Sequence, residues 1–169
     1  MKKIIFEKGI LFAFITCITI GLISCNNGKV QLSDTEKVDA ILIFPKGDKV
    51  TNANFSGNVW LNNLVQADSI NQNAVGNVTF EAGARTKWHS HPSGQIILVL
   101  EGIGYYQEKG NQKIVVRKGD VVKCPANIPH WHGASNDSNF IQIAITGREK
   151  GETIWFDLVT DQEYNSKSK

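Results

Sequence analysis

The chain has four histidines, and they fall in two pairs of identical spacing, His89-Ser90-His91 and His130-Trp131-His132. A spacing of two is the period of a β-strand, so both rings of a pair project from one face of a sheet, whereas on a helix they would point in nearly opposite directions. Two such pairs on strands that face one interior bring several imidazoles to one point. Neutral imidazole nitrogen is a good donor to divalent metals, so this arrangement is the natural geometry for a metal ion.

The segments around these pairs must therefore be strands, and their composition agrees. From Ala40 onward, short β-branched or aromatic runs alternate with Gly, Asn and Pro. The runs predict strands at Ile41–Phe44, Val59–Gln66, Val75–Glu81, Thr86–His91, Gln95–Glu101, Ile103–Glu108, Gln112–Arg117, Val121–Lys123, His130–Ala134, Phe140–Thr146 and Thr153–Leu158. Turn residues separate them, as at Glu81-Ala82-Gly83, Lys109-Gly110-Asn111, Lys118-Gly119-Asp120 and Ala126-Asn127-Ile128-Pro129. Many short strands at this spacing predict an all-β sandwich or barrel. No stretch of this region sustains a 3.6-residue apolar period. A short helix is expected only near the end, where Thr160 can cap Asp161-Gln162-Glu163-Tyr164 and Glu163 completes a capping box. On the His130-Trp131-His132 strand, as beside His89, the tryptophans Trp131 and Trp88 are expected on the opposite sheet face from the ligands.

The flanks of the two pairs carry a resemblance. The first block runs from Gly83 through His89-Ser90-His91-Pro92-Ser93-Gly94-Gln95 to Gly102, and the second from Gly119-Asp120 through Pro125-Ala126-Asn127 to His130. These resemble the two motifs of the cupins, over roughly Val75 to Thr146. The resemblance implies a jelly-roll barrel with a metal in its mouth, held by His89, His91, Gln95 and His130. Two positions depart from the commoner motif: Gln95 stands where Glu is usual, and Asn127 where Gly is usual. Asn tolerates left-handed backbone, so the turn at 127 can survive. Three neutral imidazoles and a neutral amide leave the ion's full +2 charge uncompensated. Such a shell makes a stronger Lewis acid and disfavours oxidation of the metal, which points to polarising an oxygen or lowering the pKa of bound water or substrate.

Within the cupins, the stretches Thr79–Thr86, Trp88–Pro92, Gly94-Gln95, Gly119–Val122, His130–Ala134 and Val159–Asp161 are similar to the small bacterial cupins that include manganese-dependent hydroxynitrile lyases. That resemblance favours manganese. Ligand type alone does not separate it from iron, nickel or zinc. Where those lyases carry a further His on the next strand, this chain has Gln142, which cannot move a proton near neutral pH. His132 shares a face with His130 but stands outside the implied four-ligand shell. It is the candidate for handling a proton, or else a hydrogen-bonded core histidine. Gln142 and Thr146 share one face of a late strand and are candidates to line a substrate pocket. Arg85 and Lys87 either meet an anionic substrate or form a solvated rim. Cys124 has no base assigned to it and reads as a small buried residue. Three functions follow as expectations. The first is Lewis-acid lyase, isomerase or decarboxylase-like chemistry on a small organic molecule. The second is a metal-dependent dioxygenase, and the third a non-catalytic binding cupin. A homodimer is a further expectation, formed by pairing at the Ile41–Phe44 or Val59–Gln66 sheet edge.

The N-terminal residues read as an address rather than as part of this domain. Met1-Lys2-Lys3 is a basic start, and Ile10–Ile23 is a largely apolar run of fourteen residues. That is shorter than the about 20 needed to span a bilayer, but suits a signal sequence. Leu22-Ile23-Ser24-Cys25 resembles the lipobox of bacterial lipoproteins, which implies cleavage after residue 24 and lipidation of Cys25. Residues 25–37 then form a polar tether and 38–169 a single domain, anchored extracytoplasmically in the cell envelope. Three of the 18 basic and one of the 16 acidic residues precede Cys25, so the remainder carries 15 of each and is neutral. No basic stripe remains to hold a phosphate backbone, which excludes nucleic acid as an expected partner.

Overall fold

The computed structural model describes residues 42–169. The signal segment, Cys25 and the tether expected from the sequence lie outside the described residues. Among the described residues, no helix is long and apolar enough to cross a membrane.

Among the described residues, twelve strands form one continuous, curled antiparallel sheet: β1 (Asp48–Lys49), β2 (Phe55–Ser56), β3 (Val59–Val65), β4 (Asn73–Phe80), β5 (Arg85–Thr86), β6 (His89–Ser90), β7 (Gln95–Glu108), β8 (Ile114–Arg117), β9 (Val121–Cys124), β10 (His130–Ala134), β11 (Phe140–Gly147) and β12 (Ile154–Trp155). One face is built from β1, β3, β4, β11, the start of β7 and β9, and the other from β2, β5, β6, β10, the end of β7, β8 and β12. The result is the expected jelly-roll barrel, closed by one short helix, α1 (Asp161–Tyr164).

The sequence divides the stretch at Gly102, but the chain does not. β7 runs unbroken for 14 residues and serves both faces. Gly102 adopts φ +81°, a left-handed turn of the backbone that lets one strand pass round the corner of the barrel. Two other expectations differ. The run Thr86–His91 is split into β5 and β6, because Lys87 N–H donates to Asn54 and Trp88 N–H to Asp157 rather than to a strand ladder. The described residues of Ile41–Phe44 form no strand, and Thr153–Leu158 contributes only two residues to β12. β1 and β2 are two residues each, too short to show a period.

Apolar side chains from both faces meet inside. Val59, Phe80, Ile97, Val99, Phe140 and Ala144 are buried together, and the Phe80 and Phe140 rings lie 6.1 Å apart. Fully burying a side chain of this size contributes about 1.5–3 kcal/mol each. A second cluster lies on the outer face: Trp88, Trp131, Val159 and Tyr164, with Tyr105 against them. This accounts for the complete burial of β10. Its histidines face the interior, while Trp131 faces outward beneath the C-terminal segment and donates Nε1–H to Gln107 Oε1 at 2.8 Å. α1 fastens that segment. Its capping box is formed as expected, with Thr160 Oγ1 accepting from Glu163 N–H at 3.1 Å and Glu163 Oε2 accepting from Thr160 N–H at 2.9 Å.

Candidate metal centre

β6 and β10 pair so that His89 and His130 stand directly opposite each other. Their rings lie on one face with centroids 4.4 Å apart, and His132, two residues further along β10, lies 5.2 Å from His89. His91 follows β6 and its ring centroid is 5.0 Å from that of His89 and 5.4 Å from that of His130. All four histidines are buried. His89, His130 and His132 each offer a nitrogen within 4.8 Å of the other two. The third imidazole of this closest set is thus His132, whereas the sequence reading places His91 there.

The backbone sets the tautomers of two rings. Nδ1 of His89 lies 2.9 Å from the Lys87 carbonyl and Nδ1 of His130 lies 2.9 Å from the Ile128 carbonyl. A carbonyl only accepts, so each Nδ1 carries the proton and each Nε2 presents a lone pair. Asn127 supports this loop with φ +61°, the left-handed conformation anticipated for Asn at that position. Nδ1 of His91 is 3.1 Å from Thr153 Oγ1. Gln95 donates its Nε2–H to Thr146 Oγ1 at 2.8 Å, which fixes the amide's orientation, and its Oε1 lies 3.9 Å from Cys124 Sγ, a weak thiol donor that leaves the oxygen further acceptor capacity.

His91 Nε2, His130 Nε2 and His132 Nδ1 are buried without a hydrogen-bond partner among the described residues. Buried polar atoms are ordinarily satisfied. Several bare imidazole nitrogens grouped together fit a divalent metal, and these residues could hold one. Burial keeps the rings neutral, the form a metal requires. It holds His89 and His132 well below the usual histidine range, with the neighbouring imidazoles adding to the effect. His130 is lowered mainly by burial, and His91 is lowered to about 3 by burial, then by His130 and the Arg148 cation.

These shifts give a pH dependence. Below about 6.5 the unfolded chain takes up protons that the native rings refuse, so unfolding becomes easier as pH falls. Chelator-treated protein is therefore expected to be most stable above pH 6.5 and to lose melting temperature progressively toward about pH 3, where His91 itself titrates. Thermal unfolding followed across that range measures it; a flat profile would show that the rings do not stay neutral in the fold.

Cys124 is 1% exposed, with its Sγ 3.9 Å from Gln95 Oε1, and burial pushes its thiol up to about 12. It is a buried thiol, not a nucleophile. Iodoacetamide at pH 8 is expected to label it about tenfold or more slower in native than in urea-unfolded protein, as read by mass spectrometry of its peptide.

A cavity of about 140 Å³ opens beside the imidazoles, with Phe55, Leu61, Val78 and Trp155 forming its apolar wall. Thr146 is among the residues that line it. Gln142 lies on the same face of β11 but is fully buried and outside the lining, with both amide atoms unpartnered among the described residues. Arg148 and Thr153 also line the cavity, and neither stands out in the sequence because both follow the recognisable motif blocks. Arg85 is placed elsewhere. It pairs with Asp161 at 2.7 Å and stacks on Tyr164, under the C-terminal segment.

Fold and site together define a small barrel with an imidazole cluster in its interior, and the comparisons agree. Residues 76–145 match the cupin domain model. The chain is 40% identical over 111 residues to an (R)-mandelonitrile lyase of Granulicella tundricola, spanning 65% of this chain and 85% of that protein. The chain belongs to the cupin family. It is also similar to a cupin-like protein of Thermotoga maritima solved by crystallography, with 44% identity, a TM-score of 0.70, and coverage of 72% of this chain and 93% of that one. A shorter match joins it to an acireductone dioxygenase of Yersinia pestis, 30% identical over 66 residues and 37% of either chain.

Proposed function

We propose that this chain is a metal-dependent enzyme of lyase, isomerase or decarboxylase type acting on a small organic molecule. The observation that carries the reading is the group of buried, neutral imidazoles with unpartnered nitrogens beside a small apolar cavity. The similarity to an (R)-mandelonitrile lyase supports it. His89, His91, His130 and Gln95 would hold the ion, for which manganese is favoured over iron, nickel or zinc. A divalent ion in an uncharged shell supplies Lewis acidity toward an oxygen of the substrate.

The chain's own residues do the rest. Thr146 orients the Gln95 amide, and the apolar wall excludes water. His132 is held neutral by burial, and its Nδ1, unpartnered among the described residues, would accept a hydrogen bond from a substrate hydroxyl and so orient it. Gln142 can hydrogen-bond but cannot transfer a proton, so cleavage of mandelonitrile is expected to be slow. Elemental analysis of the purified protein, with release of benzaldehyde from (R)-mandelonitrile measured before and after chelation, tests the reading. Protein that holds no metal, or turnover that survives chelation, would refute it. Gln95→Glu is expected to keep or tighten the metal, because it adds a charge attraction, while slowing turnover through weaker Lewis acidity. Equal turnover in that variant would remove the Lewis-acid argument.

The match to an acireductone dioxygenase favours a second reading, oxidative cleavage. Oxygen uptake on substrate addition separates the two. We further propose that Cys25 anchors the protein to a membrane; unchanged lipid labelling in Cys25→Ala would exclude this.

A further inference from the structure

We infer that the cavity beside the metal centre selects a small carboxylate, with Arg148 as the residue that binds its charge. The inference rests on the enzyme reading above and names the class of molecule that site accepts: a short 2-oxo or 2-hydroxy acid with an apolar side group.

Among the described residues, Arg148 is the only permanently charged side chain in the lining, and no carboxylate shares the wall with it. Its side chain is 25% exposed, whereas that of its ion-pair partner, Glu152, is 86% exposed at a separation of 2.9 Å. Glu152 therefore stays largely solvated; Arg148 lies between the cavity and an outer hollow lined by Glu152 and Asp68, and its bond to Thr153 ties the guanidinium to the cavity side. An exposed pair of this kind is weak and readily exchanged. Among the described residues, the guanidinium's polar contacts are made through Nη1, to Glu152 and to Thr153 Oγ1 at 3.0 Å. The planar fork thus retains donors able to take a carboxylate in the two-point geometry that Arg favours.

Position then limits the rest of the molecule. Thr153 Oγ1 bridges Arg148 and His91 Nδ1, with contacts of 3.0 and 3.1 Å. An acid held by Arg148 has its neighbouring carbon and oxygen close to the imidazoles. The Phe55 and Trp155 rings, 5.8 Å apart, offer an apolar surface to its side group, and Trp155 also lies 4.9 Å from the His89 ring. A volume of about 140 Å³ admits only a small molecule. A neutral ligand would leave the guanidinium with the neutral Thr153 hydroxyl but no anionic partner in the cavity lining.

Mandelate and its uncharged amide, mandelamide, share size and aryl group and serve as probes. Calorimetric titration of the metal-loaded protein is expected to show mandelate binding about tenfold or more tighter than mandelamide. Arg148→Gln is expected to bring the two within about twofold, and Arg148→Lys, which keeps the charge but loses the fork, to fall between. Glu152→Gln, at an exposed site, is expected to tighten mandelate by removing a competitor. Equal binding of the two probes to the wild type, or no binding of either, would overturn the inference. So would a preference undiminished in Arg148→Gln and Arg148→Lys, which would place the carboxylate on the metal alone. If Arg148→Gln does not fold, an unchanged mandelate affinity in both Arg148→Lys and Glu152→Gln overturns it equally. Carboxylate preference without metal-dependent turnover would refute the enzyme reading and leave this selectivity standing. Metal-dependent turnover without the preference would do the reverse.

Discussion

His130→Ala is expected to lose most of the metal, with affinity falling about 100-fold or more, given that even residues supporting a ligand are worth about 10–100-fold. His130 stands opposite His89 in the strand pairing, and its ring is oriented by the Ile128 carbonyl. Alanine removes a nitrogen that is already aimed and already desolvated, and the neighbouring imidazoles stay on their own strand positions. Water could enter the space, but it would lack the fixed position of the imidazole. Metal content by elemental analysis and titration of the stripped protein read the effect. The same measurement decides between His91 and His132. The proposed shell expects metal loss in His91→Ala, and in His132→Ala retained metal with lost turnover. Metal lost in His132→Ala but kept in His91→Ala would instead favour the closest triad, His89, His130 and His132.

Gly102→Ala is expected to destabilise the barrel by about 3 kcal/mol or more, a cost in the range of severe core defects. Two effects add. The φ of +81° is strained for any residue with a Cβ, and that Cβ would lie 1.8 Å from the Asn139 carbonyl oxygen. The clash is with backbone, so no side-chain rotation relieves it. Asn139 directly precedes β11, and β7 cannot move away without breaking its pairing with β10 or β11. Urea unfolding of the variant measures the loss. Gly119→Ala is a useful contrast, because it shares the positive φ but has open space around the added Cβ, so its cost is the backbone strain alone.

The histidine pairs, the strands of the motif region and the helix cap were legible in the sequence because each is encoded locally. Period two puts His130 and His132 on one face and Trp131 on the other, whatever the barrel around them. Thr160 and Glu163 satisfy each other's backbone within one turn. The continuity of β7 was not legible, since a glycine between two β-runs reads as a turn unless the far strands that pair on both sides of it are known. Nor was the role of Arg148. Its place at the cavity depends on the return of the chain after β11, where Gly151 N–H donates to the Arg148 carbonyl and Thr153 comes back toward His91. The rank of His132 among the imidazoles depends on distances between strands, which spacing along one strand does not fix.

Because β7 is flanked by β9 and β11 along its first part and by β8 and β10 along its last, neither of its halves is an edge. The barrel's two faces are therefore not separable leaves. Any opening that exposes the amides of Ile97 or Tyr105 to solvent must release strands of that strand's whole neighbourhood at once. In deuterium exchange, these amides belong with the slowest class, exchanging through global unfolding, while the two-residue strands β1 and β12 exchange by local fraying.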